Sequence, residues 1–542
     1  MTKWRRLERY IVSYGADQLL SPFFSRVKLA TGLASVKADT DESFSSQLSR
    51  TMQTESIFFV IMACVSAICA EITDRLTIPS RLHRSAHGAA LRILPVLWAY
   101  AVLTALSGSP VIGAALPLMS VLALVIGSNT KYRILGEPLV FSDLVVVRSF
   151  IMYPRFYLEA ISLPLRCLLL ISAVLIIYLV MSFSSPDRTM AAAGLSLALA
   201  STAGLLIASS QTRKSTRMSE PALEHDIATY GLFAVLIIYW LRWRQTRDHP
   251  APAPVEETSV GATPHSIVIV QCESFAQLTA QLAYLPGLSL ARHRAIAWGN
   301  LEVSGFGAYT MRTEFGVLCG IDEEALGLRR YDPFLTAGHV PGHSLPVKLA
   351  ALYPQSFFLH PHDLRFYDRI KLMPRLGFQH LIGENHFPPA EAGSPYVSDR
   401  EIGHKILSLV DQASEPTLIY AVTMENHGPW DKGRAGQTDG ISAWAHHVRN
   451  SDKLLNQLVD GLDRSEQSSL LIFFGDHRPT IPGHIAPGRV RHTPYVALQF
   501  PAGGEHCLDI AETPSTRTPA ELHQLILNLV SGIEANPGST VA

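Results

Sequence analysis

The sequence predicts an N-terminal α-helical transmembrane domain of about five helices, followed by a C-terminal α/β domain with a mostly parallel sheet. Apolar residues make up 48% of the 542 residues, and the mean hydropathy of +0.18 is high for a soluble protein. The long apolar segments all lie before residue 210, whereas short strands alternate with helical patterns after residue 265. A net charge of −1 argues against a general nucleic-acid-binding protein.

Five apolar segments form the predicted membrane region. Five such segments close together make buried core helices of a soluble domain a poor explanation. Basic residues are frequent in residues 1–50, and no short apolar stretch with a cleavage site follows them, so we expect a cytoplasmic N-terminus without a removable signal peptide. The segments lie at residues 56–72, 90–107, 110–128, 164–184 and 190–209.

An odd number of spans places the rest of the chain outside the cell. The arginines of the loop 73–89 oppose this orientation, because cytoplasmic loops carry most of the basic residues of a membrane protein. We interpret Tyr230–Trp243 as an interfacial helix with an aromatic and basic rim, although a spanning helix there would change the topology. The Pro-rich residues 248–264 indicate a semi-rigid linker.

These patterns predict five regions. They are a cytoplasmic segment 1–50, a transmembrane helical domain 51–210, an interfacial helix and linker 211–264, an extracytoplasmic α/β domain 265–533 and a flexible tail 534–542.

The C-terminal domain contains five predicted strands, and polar residues follow four of them directly. Because the carboxyl ends of parallel strands meet at one edge of a sheet, we expect these polar clusters to line one crevice. The strands are 266–270, 356–359, 417–422, 470–474 and 495–500, and the clusters are 271–275, 360–363, 423–429 and 475–477. Helical patterns at Ser451–Leu462 and Pro519–Val530 complete the alternation.

Four of the clustered side chains predict a site for one divalent cation. Glu273, Thr310, Asp476 and His477 offer the oxygen and nitrogen ligands that Mn²⁺, Mg²⁺ and Zn²⁺ accept. A metal ion would lower the pKa of the Thr310 hydroxyl and make it a nucleophile, and His427 would bind substrate or protonate a leaving oxygen.

Several of these residues allow a simpler interpretation. Thr310 with Glu314 is close to capping-box spacing, so its hydroxyl could merely cap a helix. Arg369 is either a phosphate clamp or a surface ion pair. Arg312 either touches phosphate or forms a salt bridge to Glu314. His446 and His447 are best explained by a solvated helix face.

The motifs resemble the lipoteichoic acid synthase and phosphoglycerol transferase group of the sulfatase/alkaline phosphatase superfamily. The resemblance covers most of the chain, is strongest in the outer domain, and includes the segment Lys131–Asp143 between the third and fourth spans. The motifs that carry it are Glu273–Phe275, Gly305–Gly307 with Thr310 and Glu314, Tyr367–Arg369, Asn426–Pro429 and Gly475–His477.

The resemblance implies a sulfatase/alkaline-phosphatase-like domain that uses Thr310 as nucleophile and Glu273, Thr310, Asp476 and His477 as metal ligands. Substrate would bind Arg369, Tyr367, His360, His427 and Arg312. Thr310 would attack phosphatidylglycerol, release diacylglycerol and pass the glycerophosphoryl group to a glycan or a polyglycerolphosphate chain. Mn²⁺ is the expected cation, with Mg²⁺ and Zn²⁺ as alternatives. The enzyme would be a multi-pass protein of the bacterial cell membrane, with its catalytic domain on the periplasmic or extracellular side.

Two other functions stay open: a phosphoethanolamine transferase with the same metal site, and a silent membrane protein that binds a lipid head group or glycan. His362 and Tyr367 depart from the usual pattern of the group and bear on the head group. Formylglycine sulfatases need Cys or Ser followed by x-Pro-x-Arg, which Thr310–Thr313 lacks, so a sulfatase proper is disfavoured.

Overall fold

The computed structural model describes residues 41–81, 84–144, 163–185, 187–214, 220–246, 263–278, 284–337, 341–391, 394–502 and 510–532. The chain divides into two compact units, Met1–Met62 and Ala63–Ala542. Within the first unit, the structure describes only the beginning of the first helix. The predicted flexible tail 534–542, most of the Pro-rich linker and residues 1–40 of the predicted cytoplasmic segment lie outside the described residues.

Five long helices precede the C-terminal domain, as the sequence predicts. By length and composition, four helices of the described chain can cross a membrane: Gln53–Asp74 within α1, and all of α2, α3 and α5. The fourth predicted segment, 164–184, coincides with α4. The bounds are α1 Asp41–Asp74, α2 Ala86–Ser107, α3 Pro110–Leu135, α4 Leu163–Phe183 and α5 Arg188–Lys214.

The ends of α3 show why this helix begins and stops where it does. The Ser109 hydroxyl accepts a hydrogen bond from the Ile112 amide, and Pro110 occupies the first helical position, where no amide hydrogen is needed. Gly136 ends the helix in the left-handed conformation with φ of 70°. The chain then turns towards the C-terminal domain.

Two of the three arginines of the loop 73–89 are bound by carboxylates of α1, and the third, Arg81, lies 3.4 Å from His225 Nδ1. Arg84 lies 2.5 Å from Asp74, and Arg75 lies 3.2 Å from Glu71. Arg92, at the start of α2, also pairs with Glu71 at 2.7 Å. Paired arginines add little net charge to the loop, so they oppose the predicted orientation less than a count of basic residues suggests.

Two helices, α6 (Leu223–Tyr230) and α7 (Leu232–Trp243), connect the long helices to the C-terminal domain. Tyr239 of α7 is fully buried and stacks on Tyr331 with ring centroids 6.0 Å apart. The Trp243 indole donates a hydrogen bond to the Thr336 carbonyl at 3.3 Å. The predicted interfacial helix is therefore largely covered by protein, and its position at a bilayer surface stays a prediction.

The C-terminal domain is built on one eight-stranded sheet with the order β4-β3-β5-β1-β6-β7-β2-β8. Neighbouring strands from β4 to β6 are parallel, β7 is antiparallel to both its neighbours, and β2 and β8 are parallel. The sheet is thus mostly parallel, as predicted. Its strands are β1 Ser266–Cys272, β2 Ala297–Glu302, β3 Gln355–Leu359, β4 His380–Ile382, β5 Thr417–Val422, β6 Ser469–Gly475, β7 His492–Phe500 and β8 Ser515–Arg517.

Helices cover both faces of the sheet and enclose two apolar cores. The predicted helix Pro519–Val530 has these bounds and begins with a Thr518–Glu521 capping box. The helices are α8 Pro286–Arg292, α9 Thr310–Cys319, α10 Arg369–Arg375, α11 Asp399–Gln412, α12 Gly440–Asp463 and α13 Pro519–Val530, with short helical turns at 323–326, 327–331, 333–336, 341–343, 345–348, 366–368, 384–386 and 434–436.

Candidate metal centre and active site

Two neighbouring parallel strands bring three predicted metal ligands together. The β1–β6 register pairs Cys272 with Gly475, so Glu273 after β1 lies beside Asp476 and His477 after β6. Potential ligand atoms of the three side chains all lie within 4.8 Å of one another, and all three residues are buried. His477 Nε2 is 3.2 Å from Glu273 Oε1 and 3.5 Å from Asp476 Oδ2.

The backbone around these ligands is fixed by short hydrogen bonds. The amides of Ser274 and His477 donate to Asp476 Oδ1 at 2.9 and 2.8 Å. The Thr313 hydroxyl donates to the Asp476 carbonyl at 2.7 Å. A Cβ atom at Gly475 would lie 1.9 Å from the Phe275 carbonyl oxygen, so only glycine permits this close approach of the two strand ends.

The charges of the cluster suit a divalent cation. Burial and the Glu273 carboxylate raise the pKa of Asp476 to about 7. Burial alone would lower the pKa of His477, but the two carboxylates outweigh it and raise the pKa to about 9. Within the described residues, Asp476 Oδ2 is buried without a hydrogen-bond partner. A cation would neutralise the two crowded carboxylates and occupy that oxygen, so these residues fit a metal ion.

Thr310 is the first residue of α9 and borders the ligand cluster. The N-cap position belongs to Tyr309, which has φ of 78°, and no side chain caps the helix there. The Thr310 hydroxyl instead interacts with the Asp476 carboxyl. This interaction favours the ionised carboxylate and so opposes part of the rise in the pKa of Asp476. The alternative that Thr310 caps the helix is therefore wrong, and its roles as nucleophile and ligand stay predictions.

Arg369 is buried at the edge of the same crevice, so the surface ion pair considered for it is wrong. Its guanidinium donates to Glu314 Oε2 at 2.6 Å, and its Nη1 lies 3.2 Å from His360 Nε2. Burial and the neighbouring Arg369 charge lower the pKa of His360 well below its usual value, which keeps this imidazole neutral. The Tyr367 ring lies 5.2 Å from the Arg369 guanidinium. Three predicted substrate-binding residues therefore form one group.

Arg312 points elsewhere. Its guanidinium binds both carboxylate oxygens of Glu137, at 2.8 and 2.9 Å, and the Tyr331 carbonyl. The predicted salt bridge to Glu314 is absent, because Glu314 pairs with Arg369. The Arg312 guanidinium is therefore bound by Glu137 and Tyr331, and its contact with substrate stays a prediction.

His427 faces a second group of polar side chains. The Tyr396 hydroxyl lies 3.3 Å from its Nδ1, and the loop that carries His427 is bound by Arg434, which donates to the Glu425 and Pro429 carbonyls. Neither Tyr396 nor Arg434 belongs to a sequence motif that would have marked it. The fold brings both residues to the crevice, and no local sequence pattern indicates this.

His447 corrects the prediction of a solvated helix face. It is 6% exposed, and its Nδ1 lies 3.0 Å from Glu425 Oε1. Asn450 also donates to this oxygen at 2.7 Å. His447 and Asn450 on α12 therefore hold the loop 425–429 through Glu425. The only sequence signal for this contact is the apolar periodicity of α12.

A cavity of about 310 Å³ adjoins this group. His362, Tyr396 and Glu384 line it, and the rings of His362 and Tyr396 lie 6.0 Å from His360 and 5.6 Å from His427. Its other lining residues include Asn385, Phe387 and several prolines.

Comparisons with known proteins address the same domain. Residues 267–502 match the Sulfatase family model. The chain is 28% identical over 469 residues to the capsular polysaccharide biosynthesis protein RkpI of Rhizobium meliloti (strain 1021), covering 79% of this chain and 86% of the relative. It is 23% identical over 257 residues to a putative cyclic β-1,2-glucan modification protein of the same strain, covering 42% of this chain and 38% of that protein.

Among solved structures, the chain is similar to the Streptococcus pyogenes phosphoglycerol transferase GacH in complex with sn-glycerol-1-phosphate. The sequence identity is 15%, the TM-score is 0.39, and the match covers 53% of this chain and 84% of that chain.

Proposed function

We propose that the protein is a membrane-anchored, metal-dependent phosphoglycerol transferase, and the match of residues 267–502 to the Sulfatase family model supports this proposal. The donor would be phosphatidylglycerol, and the acceptor would be a glycan or a polyglycerolphosphate chain. The observation that carries the proposal is the position of Thr310 beside the buried cluster Glu273, Asp476 and His477, where Asp476 Oδ2 has no hydrogen-bond partner within the described part of the chain.

The proposed reaction has two displacements at phosphorus. In the first, Thr310 Oγ1 bonds to the donor phosphorus, the bond from phosphorus to the diacylglycerol oxygen breaks, and diacylglycerol leaves with a proton. In the second, an acceptor hydroxyl bonds to phosphorus and the bond to Thr310 breaks, so Thr310 regains a proton. A bound divalent cation would neutralise phosphoryl charge and lower the pKa of the Thr310 hydroxyl. Mn²⁺ is the proposed ion, with Mg²⁺ and Zn²⁺ as alternatives.

The surrounding side chains have separate proposed roles. His427 would hold the proton that the leaving oxygen takes up, because it is half-buried and borders the cluster. Arg369 would bind the phosphoglycerol group together with the neutral His360 and Tyr367. The Glu314 carboxylate fixes the direction of the Arg369 guanidinium, which favours one orientation of the substrate.

A surface glycan is the favoured acceptor class. Both curated relatives have names that refer to polysaccharide biosynthesis or glucan modification, which supports this choice. If α4 crosses the membrane together with the four helices long and apolar enough to do so, five crossings from a cytoplasmic N-terminus would place the domain on the periplasmic or extracellular side, where such glycans occur.

One observation favours the second candidate, a phosphoethanolamine transferase. Glu384 lines the cavity that His362 and Tyr396 also line. A carboxylate at this position would pair with the ammonium of ethanolamine, whereas glycerol needs only hydrogen-bond partners. A Glu384→Gln variant that loses turnover only of phosphatidylethanolamine would support this candidate.

The experiment that tests the proposal measures diacylglycerol release by the purified full-length protein. Head-group-labelled phosphatidylglycerol and phosphatidylethanolamine are compared with and without EDTA. Thr310→Val removes the hydroxyl at nearly constant volume, and Thr310→Ser restores a hydroxyl as the matched control. We expect EDTA-sensitive release from phosphatidylglycerol that Thr310→Val abolishes and Thr310→Ser partly retains.

Other outcomes would change the assignment. Release from phosphatidylethanolamine alone would move the protein to the second candidate. No turnover of either lipid by a metal-loaded protein would contradict both transferase proposals and favour a silent domain that binds a head group or glycan.

A further inference from the structure

The segment Lys131–Asp143, which we call the docking segment, connects the long helices with α9, the helix that begins at Thr310. It begins in the last turns of α3 and continues beyond Gly136. Lys131 Nζ lies 3.1 Å from Glu137 Oε1 and 2.6 Å from Asp143 Oδ2, and it also donates to the Pro138 carbonyl at 3.1 Å. These three contacts fold the docking segment over the end of its own helix. The sequence resemblance includes this segment without giving it a role.

Glu137 of the docking segment binds residues on both sides of Thr310 in the sequence. Its carboxylate accepts two hydrogen bonds from Arg312, at 2.8 and 2.9 Å, and one from the Tyr309 hydroxyl at 3.0 Å. The side chains are enclosed, because Arg312 is 4% exposed and Glu137 is 14% exposed. A bidentate pair of this kind fixes orientation as well as distance.

The residues that Glu137 binds are the ones that determine the path of the backbone at Thr310. Tyr309 has φ of 78° and ψ of 30°, a left-handed conformation that is unfavourable for a residue other than glycine. Its ring lies 3.9 Å from the Arg312 guanidinium, which is a favourable cation–π contact. One carboxylate thus holds the residue before the nucleophile and the residue two positions after it.

This same carboxylate is the anionic hydrogen-bond partner of the Arg312 guanidinium. The other hydrogen-bond acceptor of its guanidinium within the described residues is the Tyr331 carbonyl, which is neutral. Burial by itself would raise the pKa of Glu137, but Arg312 and Lys131 outweigh it and lower the pKa to about 2. The carboxylate is therefore ionised at neutral pH. Its removal would leave the buried Arg312 without a hydrogen-bonded carboxylate among the described residues, since Glu323 interacts with it only through charge, and this is destabilising locally.

We propose that Glu137 is a positioning residue for Thr310: it binds Tyr309 and Arg312 so that the long-helix region completes the active site of the C-terminal domain. This inference rests on the proposed function, because it assigns a contribution to the reaction at Thr310. A displacement at phosphorus requires an aligned nucleophile, and a shift of about 1 Å can cost on the order of 100-fold in rate.

The test compares full-length variants for diacylglycerol release, metal content and hydrogen exchange. Glu137→Gln removes the charge at constant shape, and Glu137→Asp keeps it. Asp74→Asn is the matched control, because Asp74 forms a buried ion pair with Arg84 in the helical region without touching residues 309–312. Arg312→Met, alone and with Glu137→Gln, completes a double-mutant cycle.

We expect Glu137→Gln to lower kcat about 10- to 100-fold with KM within about threefold and metal content unchanged. Glu137→Asp should retain more activity, and Asp74→Asn should match the wild type per folded molecule. The double variant should be no worse than Arg312→Met alone, since Glu137 acts through Arg312 and Tyr309. Wild-type kcat in Glu137→Gln, or independent losses that multiply in the double variant, would overturn the inference.

Hydrogen exchange provides a readout that does not depend on the reaction. In Glu137→Gln, amides of the peptide around Thr310 should exchange faster, whereas Asp74→Asn should leave them protected. Unchanged protection in Glu137→Gln would contradict the inference even if the wild type turned over neither lipid. Inactivity of the wild type with the expected change in exchange would contradict only the proposed function.

Discussion

At the residue scale, Glu314 and Arg369 form an ion pair inside the C-terminal domain. Their side chains are 0% and 2% exposed, and their charged atoms lie 2.6 Å apart. A charge buried without its partner costs several kcal/mol, so the two residues depend on each other. The pair also directs Arg369 towards His360 at the edge of the crevice.

Glu314→Gln should destabilise the protein by about 3–5 kcal/mol, because it leaves the Arg369 guanidinium buried and uncompensated. Asp368→Asn is the matched control, since it removes the acid of an exposed pair with Lys371 and should cost less than about 1 kcal/mol. Thermal unfolding of the purified protein provides the comparison. Equal melting temperatures for the two variants would argue against a structural role of the buried pair.

Metal binding should depend on the individual ligands. Glu273→Gln and Asp476→Asn each remove an anionic ligand, and we expect both to lose the ion that the wild type retains after dialysis. Asp399→Asn is the control, because Asp399 is equally buried but lies outside the cluster of three ligands. Elemental analysis by mass spectrometry measures the ion per chain. Retention of a full equivalent by Glu273→Gln would exclude the proposed site.

The sequence predicted the candidate metal ligands better than it predicted the ion-pair and hydrogen-bond partners of the other site residues. Glu273, Asp476 and His477 follow strands directly, so strand ends alone predicted that they meet. The partners of Arg312, Glu314 and His447 are Glu137, Arg369 and Glu425, each more than 20 residues away in the chain. Such pairings depend on how helices pack on the sheet, which spacing within one segment does not specify.

At the element scale, the end of β6 is the most constrained turn of the site. Gly475 approaches the Phe275 carbonyl so closely that a Cβ atom would lie 1.9 Å from the oxygen. The two backbone segments that meet there carry Glu273 on one side and Asp476 on the other. Any displacement at this turn therefore separates the ligands.

Gly475→Ala should cost more than about 3 kcal/mol and reduce metal occupancy, because neither backbone segment can move without breaking the strand pairing. Gly488→Ala is a suitable control, since its added Cβ would meet no atom within 4 Å. Thermal melting and metal content report the two effects. A Gly475→Ala protein with normal melting and a full metal complement would contradict this account of the turn.

Elements with a strong apolar pattern were predicted well, and those without one were missed. All five predicted strands occur, and β5 has the predicted bounds. Strands β4 and β8 have only three residues each and lie towards the edges of the sheet. In strand β2, buried residues alternate with more exposed ones. This strand was missed because Gly299 and Asn300 are residues that favour turns.

At the scale of the whole molecule, the long helices expose apolar side chains while the C-terminal domain encloses its own cores. Leu170, Leu195, Leu199 and Leu206 are each more than half exposed. Exposed apolar side chains on helices of this length are typical of surfaces in contact with lipid. The helical region therefore supports membrane anchoring, and the orientation of the domain is a separate prediction.

Labelling of a cysteine introduced at Tyr284 tests that orientation. Tyr284 is 73% exposed on the C-terminal domain. In spheroplasts of an expressing bacterium, a membrane-impermeant maleimide should label Tyr284→Cys without lysis, and the unsubstituted chain provides the background. Labelling that appears only after the membrane is permeabilised would place the domain in the cytoplasm and contradict the proposed location.

The central claim is that Thr310 carries the transferred group at a metal centre formed by Glu273, Asp476 and His477. Peptide mass spectrometry tests it most directly, after the metal-loaded full-length protein is incubated with phosphatidylglycerol in the absence of acceptor. We predict a glycerophosphoryl adduct on Thr310 that EDTA prevents and Thr310→Val abolishes. Metal-dependent diacylglycerol release that persists in Thr310→Val, without an adduct on the wild type, would contradict the claim.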